Sequence, residues 1–244
     1  MNSNTCLRVH SFFPRRLLRM GLLLLAGVLL LPLLVTPLFA ERDTMEYDVV
    51  VAGGGAGGTS AAIAAVRLGA RVALLEETDW LGGQMTAAGV STMDDLSGNK
   101  TGIYGEFSEN VRYHYFKKEK SVSTCYWDGN TTAFEPSVGR NVLLSMIEQA
   151  NSKAAHEGAG RLDVFYRSQV TSVHRRGPGI HGVTADLDGR KTDIVCSVLI
   201  DATEYGDMLP LANALYRAGN SKSPIIDSSA RIQDITWVAV IKKY

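Results

Sequence analysis

Three glycines at the spacing G-x-G-x-x-G, Gly53, Gly55 and Gly58, stand in the stretch YDVVVAGGGAGGTSAAIAAVRLGARVALLE, and an acid, Glu76, closes it 23 residues after Gly53. These residue types hold a ligand rather than attack one. Gly53 permits a sharp exit from a strand, Gly55 lets backbone approach a diphosphate with no Cβ in the way, and Gly58 lets the next helix lie close to the sheet. Glu76 can accept hydrogen bonds from both hydroxyls of a ribose, and its charge repels a 2′-phosphate. The pattern points to a dinucleotide site. A structural βαβ turn without a ligand is the plain alternative.

The elements that position these residues are legible on either side. Tyr47 to Ala52 carries three consecutive valines, which suits a parallel strand buried on both faces. A helix from about Ala56 to Leu68 follows, nearly all small or aliphatic, so it is expected to be buried with its N-terminal amides toward the phosphates. Gly69 ends it, and Arg71 to Leu75 is the second strand with Glu76 at its carboxyl end.

A second glycine pair, in Leu81-Gly82-Gly83-Gln84, comes soon after. It reads either as backbone close to a ligand again or as a surface loop. Ser91 to Thr101 is polar and reads as a loop. Ile103, Phe107, Val111 and Tyr115, four apart, predict an amphipathic helix over Ile103 to Lys120. Val122 to Glu135, with Tyr126, Trp127 and Phe134, reads as a covering loop or hairpin, with a substrate cleft lining as the alternative. Pro136 opens a further helix to about His156, with Val138, Val142, Met146 and Ile147 on one face. Four β-rich runs come next, Leu162 to Tyr166, Val170 to Arg175, Ile180 to Leu187 and Thr192 to Ile200, separated by Gly177-Pro178-Gly179 and Asp188-Gly189 turns. They predict an antiparallel meander inserted in a parallel sheet. The last run feeds Asp201-Ala202-Thr203-Glu204-Tyr205-Gly206-Asp207 and an apolar helix from Met208 to Leu215. That places polar groups at the carboxyl end of a buried strand, where open α/β sheets bind ligands.

The 244 residues are 45% hydrophobic and 20% charged, ordinary for a globular chain with a sizeable core. Arg8, Arg15, Arg16 and Arg19 are the only charges in residues 1–40, leaving 21 basic against 25 acidic residues beyond. A remainder of about −4 gives no footprint for a nucleic-acid partner. Met20 to Ala40 is an uncharged apolar run behind the arginines, which predicts an export signal cleaved after Ala40. An uncleaved N-terminal membrane anchor competes with it. Arg15-Arg16-Leu17-Leu18 suits a twin-arginine signal, and a plain secretory signal accounts for it equally. Without Cys6, the remaining Cys125 and Cys196 form no C-x-x-C pair, so a dithiol redox centre is not expected. Cys196 reads as a small buried hydrophobe, or as half of one disulfide.

Taken together, VVVAGGGAGGTSAA, VALLEE, WLGGQM, the meander and LIDATEYGD resemble the FAD-dependent oxidoreductases with the glutathione-reductase type of flavoprotein fold, in the group that includes xanthan-lyase-related members. The resemblance covers residues 46–244. It implies an α/β, Rossmann-like FAD-binding fold over 46–215, with a β-meander at about 162–200. Residues 216–244 would begin a truncated substrate domain behind the signal or anchor of 1–40. It also implies that Gly53, Gly55, Ala56, Gly57 and Gly58 hold the FAD pyrophosphate and Glu76 the adenosine ribose. Gly83 and Gln84 would pass near the ribityl and flavin, Val170 would offer backbone to the adenine, and Thr203 and Asp207 would close over the cofactor. Glu204 and Tyr205 stand where the family often has a plainer glycine after Ala-Thr.

The expected function is an exported, periplasmic or secreted oxidoreductase moving a hydride or electron pair between a small organic substrate and FAD. The isoalloxazine supplies that chemistry. His114, His156, His174 and His181 read as surface or packing residues, so no catalytic residue is assigned. No metal is expected. An NAD-dependent dehydrogenase and a membrane-anchored FAD-binding remnant without turnover are the competing readings.

Overall fold

A computed structural model describes residues 43–93, 100–121, 123–124, 131–221, 229 and 231, all within the unit Arg42–Tyr244. The expected export segment, Cys6, Cys125, Tyr126, Trp127 and residues 232–244 lie outside the described residues.

In chain order the elements are β1 (Thr44–Glu46), β2 (Val49–Ala52), α1 (Ala56–Arg67), β3 (Arg71–Leu75), a 3-10 turn (Gly83–Met85) and α2 (Gly102–Phe116). Next come β4 (Ser123–Thr124), β5 (Thr132–Ala133), α3 (Pro136–Glu157), β6 (Arg161–Phe165) and β7 (Ser168–Arg176). The described elements end with β8 (Gly179–Leu187), β9 (Arg190–Val195), β10 (Val198–Asp201) and α4 (Met208–Leu211).

The central sheet is parallel, in the order β10-β2-β3-β6. Its strands are covered on both faces, and strand alternation divides their side chains between two cores. Val51, Val72 and Leu74 pack with Ala62, Ile63 and Val66 of α1, Phe107 and Val111 of α2, and Val142 and Met146 of α3. Val50, Ala52, Ala73 and Leu75 pack instead with Val183, Ala185, Leu187 and Ile194 of a second sheet. That second sheet has the order β1-β9-β8-β7, an antiparallel meander closed by a parallel β1–β9 pair. The fold is therefore α/β and Rossmann-like, with a parallel sheet and a mixed one.

Four expectations need correction. The run at Leu162 to Tyr166 is not part of the meander: as β6 it pairs parallel with β3, because a strand that returns after a crossover helix, here α3, lies parallel to its neighbour. The run Thr192 to Ile200 divides in two. Cys196 donates its amide to His181 O while Ser197 and Val198 both donate to Asp48 O, so the chain leaves the meander there and enters the parallel sheet as β10. The meander proper is thus β7 to β9. Helix α1 is buried on one side only: Ala62, Ile63 and Val66 are inside, while Ala64 and Arg67 are exposed. The helix expected from Met208 to Leu215 is a single turn, stopped by Asn213 with φ +50°, and Leu215 is exposed.

The remaining elements agree more closely. Val138, Val142, Met146 and Ile147 of α3 are all buried, and the stretch around Thr124 and Thr132 is an antiparallel ribbon. Cys196 is free and buried, its thiol pushed up by desolvation. Among the described residues no helix is long and apolar enough to cross a membrane.

Candidate cofactor site

The carboxyl ends of β10, β2 and β3 meet where the glycine turn leaves β2. Gly53, at φ +97°, donates its amide to Leu75 O, and a Cβ there would lie 2.3 Å from the carbonyl oxygen of Ala202. Only glycine fits between these neighbours. At Gly58 a Cβ would lie 1.9 Å from Gly53 O, so the turn and α1 pack backbone to backbone. Gly55 and Gly57 differ. A Cβ on Gly57 would meet nothing within 4 Å, and one on Gly55 only the Glu204 side chain at 3.4 Å. The steric roles expected of Gly53 and Gly58 are thus met by protein atoms, while the Gly55 side of the turn is open.

Helix α1 starts at Gly55 with no side-chain cap and no acid in its first turn. Its leading amides, from Ala56 to Gly58, point out of the helix start and make an anion-binding end.

The second glycine pair belongs to this turn and is no detached surface loop. Gly82 donates its amide to Gly54 O at 2.8 Å and forms a parallel bridge with Gly55. Both Gly82 and Gly83 have positive φ, and a Cβ on Gly83 would lie 3.0 Å from Gly55 Cα. Gln84 follows, exposed, in the 3-10 turn. Two bare backbones therefore run side by side along the mouth of the sheet.

Glu76 is 6% exposed and already engaged. Its Oε2 accepts the Gly54 amide at 2.8 Å, and its Oε1 accepts the Thr78 amide at 2.8 Å and the Thr78 hydroxyl at 2.6 Å. A carboxylate has about four acceptor sites, so roughly one remains for a sugar hydroxyl rather than the two expected. The neighbouring Tyr166 phenol is pushed up, by burial first, with the Glu76 charge adding to it.

At the end of β10 the organiser is Asp201, a residue the sequence did not single out. Its Oδ1 accepts the Thr203 amide at 3.1 Å and hydroxyl at 2.8 Å, and its Oδ2 accepts the Met208 amide at 3.2 Å. Thr203 Oγ1 in turn accepts the Asp207 amide at 2.8 Å. Thr203 thus ties the loop, and the Asp207 side chain is exposed without capping α4. The D-x-T spacing, with a carboxylate two residues before an amide, is the signal that would have found Asp201. Thr59 is a second missed residue: buried, it donates its hydroxyl to Gly54 O at 2.8 Å and pins the turn from the helix side.

Val170 lies farther off, on β7, the outer strand of the mixed sheet. Ser168 donates its amide to Glu76 O at 2.9 Å. By strand alternation the Val170 backbone faces the same way, toward the Glu76 side and away from β8.

The FAD dependent oxidoreductase family model matches residues 48–241. The chain belongs to this family. FAD is therefore the cofactor, and the NAD reading is set aside. The cradle fits the group: the mouth of the sheet is lined by backbone at Gly55, Gly57 and Gly83, with an uncapped helix start facing it. Among solved structures the chain is similar to a geranylgeranyl bacteriochlorophyll reductase-like protein from Thermoplasma acidophilum, at 17% identity over 75% of this chain and 44% of that one, TM-score 0.48. It is also similar to Mycobacterium smegmatis Sdh1 in complex with UQ1, at 16% identity over 66% of this chain and 34% of that one, TM-score 0.45. A third is Thermovibrio ammonificans THI4, at 16% identity over 80% of this chain and 67% of that one, TM-score 0.43. The chain spans less than half the length of the first two. No curated protein matches it. Among the described residues no cluster could hold a metal ion.

Proposed function

We propose that this chain carries the FAD-binding half of an exported oxidoreductase of the glutathione-reductase type, acting on a small organic substrate. The observation that carries the reading is the apposition of Gly55 and Gly83 across a backbone-lined crevice at the carboxyl ends of β2 and β10, where an open α/β sheet receives a dinucleotide. The subgroup is supported by the antiparallel meander placed between β6 and β10, and export by the basic and apolar residues of 1–40.

In this reading the amides of Ala56, Gly57 and Gly58 hold the diphosphate through hydrogen bonds and the helix dipole. Glu76 accepts one ribose hydroxyl while its other contacts keep the glycine turn in place. Gly83 and Gln84 flank the ribityl, and Val170 offers backbone to the adenine. Thr203 shapes the loop that Asp207 and Glu204 share. Bound isoalloxazine supplies the redox chemistry, accepting a hydride or an electron pair from the substrate. The FAD-binding part covers 46–215, and a substrate domain begins in 216–244.

Gly55→Asp tests the reading. Gly55 has φ −59° and faces only a flexible side chain, so the variant should fold while placing a carboxylate against the diphosphate. Nucleotide released from the wild type by heat should be yellow, absorbing near about 450 nm, and the variant should release none. Flavin retained in the variant would show that the turn is not the phosphate cradle.

A further inference from the structure

Glu204 reaches back from the loop after β10 over the glycine crevice. Its Oε1 lies 2.9 Å from the point where a Cβ on Gly83 would stand and 3.4 Å from the corresponding point on Gly55, while Ala56 N is 3.9 Å from the first of these points. The carboxylate therefore sits over the paired glycine backbones, beside the start of α1. That start has no side-chain cap and no acid of its own, and an uncapped helix start attracts an anion. Glu204 is exposed, and no hydrogen bond or ion pair to another described residue holds it. Exposed Tyr205 and half-buried Gly206, at φ +73°, follow it, and the exposed Glu204 side chain is free to rotate away about its own bonds.

Resting on the function proposed above, we propose that the Glu204 carboxylate and the diphosphate of FAD compete for one anion site, which makes Glu204 the residue that sets cofactor affinity. Two anions cannot share a single helix start without strong repulsion, so binding requires Glu204 to leave. Its departure takes a negative charge away from the start of α1. Glu204→Gln removes the charge and keeps the size, and Glu204→Gly removes both.

The experiment titrates FAD into the full chain stripped of nucleotide, followed by quenching of flavin fluorescence, for wild type, Glu204→Gln, Glu204→Gly and Gly55→Asp. Both Glu204 variants should bind FAD about tenfold tighter or better, because one like-charge contact is removed. Inorganic pyrophosphate should raise the melting temperature of Glu204→Gln more than that of wild type. Affinities of both variants within about twofold of wild type, with binding lost in Gly55→Asp, would overturn the competition and leave the diphosphate site standing. Unchanged binding in Gly55→Asp would remove the site itself, and the competition with it.

Discussion

Glu76 and Gly54 are joined by a hydrogen bond of 2.8 Å from the Gly54 amide to the Glu76 carboxylate, linking the glycine turn to the end of the neighbouring strand. The acid that the fingerprint assigns to a sugar is thus also a structural member of the turn. A Cβ on Gly54 would meet Glu76 Oε2 at 2.7 Å and Leu81 Cδ2 at 2.6 Å, so any side chain there would displace these buried neighbours.

Glu76→Gln should therefore weaken the fold as well as the site. The amide group cannot accept from the Gly54 amide and from both Thr78 donors at once, and one of them is left facing an NH2. With the group buried, the loss should be about 1–3 kcal/mol. Urea denaturation of the nucleotide-free chain measures it. A variant with wild-type stability and weakened FAD binding would assign Glu76 to the sugar alone.

Two neighbouring glycines should respond in opposite directions. Gly58→Ala forces a Cβ to 1.9 Å from backbone oxygen Gly53 O, and since backbone cannot give way cheaply, a loss of about 2 kcal/mol or more follows. Gly57→Ala meets open space in the first turn of a helix, so it should stabilise by about 0.5–1 kcal/mol. Denaturation midpoints of the two variants, measured side by side, check the contrast. Equal midpoints would contradict the close packing of α1 on the turn.

Asp201→Asn should loosen the loop that carries Thr203, Glu204 and Asp207. Asp201 accepts from three donors with two oxygens, and asparagine can serve only one side. Faster amide exchange at Thr203 and Met208, with a stability loss of about 1–3 kcal/mol, is expected. Unaltered exchange at both amides would mean that Asp201 does not organise the loop.

Alkali should destabilise the protein through two tyrosines. Burial, and then hydrogen bonds to Asp163 and Glu135 respectively, push the phenols of Tyr47 and Tyr115 from 10.0 up to about 12. The folded chain keeps protons that the unfolded chain has lost in this window. The stabilisation is complete below pH 10.0 and disappears as pH rises through about 12. Urea midpoints across that range should fall, and Tyr47→Phe should make the fall shallower. Phenolate absorbance that develops fully near pH 10 in the folded protein would refute the assignment.

The sequence by itself determined the glycine turn, the strand before it, the helix after it, the acid at the end of β3 and the buried stripe of α3. Each of these is local: a positive φ at Gly53, two-sided burial of three valines and the helical spacing of Val138, Val142 and Met146 are written in neighbouring residues. Only the tertiary structure decided which β-rich runs join which sheet. A single run of residues cannot reveal that β6 pairs with β3 across the α3 crossover, or that Cys196 to Val198 carries the chain from one sheet to the other. It alone brought Gly82 against Gly54, and Glu204 over Gly55 and Gly83, because contacts between residues far apart in the chain arise from packing and not from spacing.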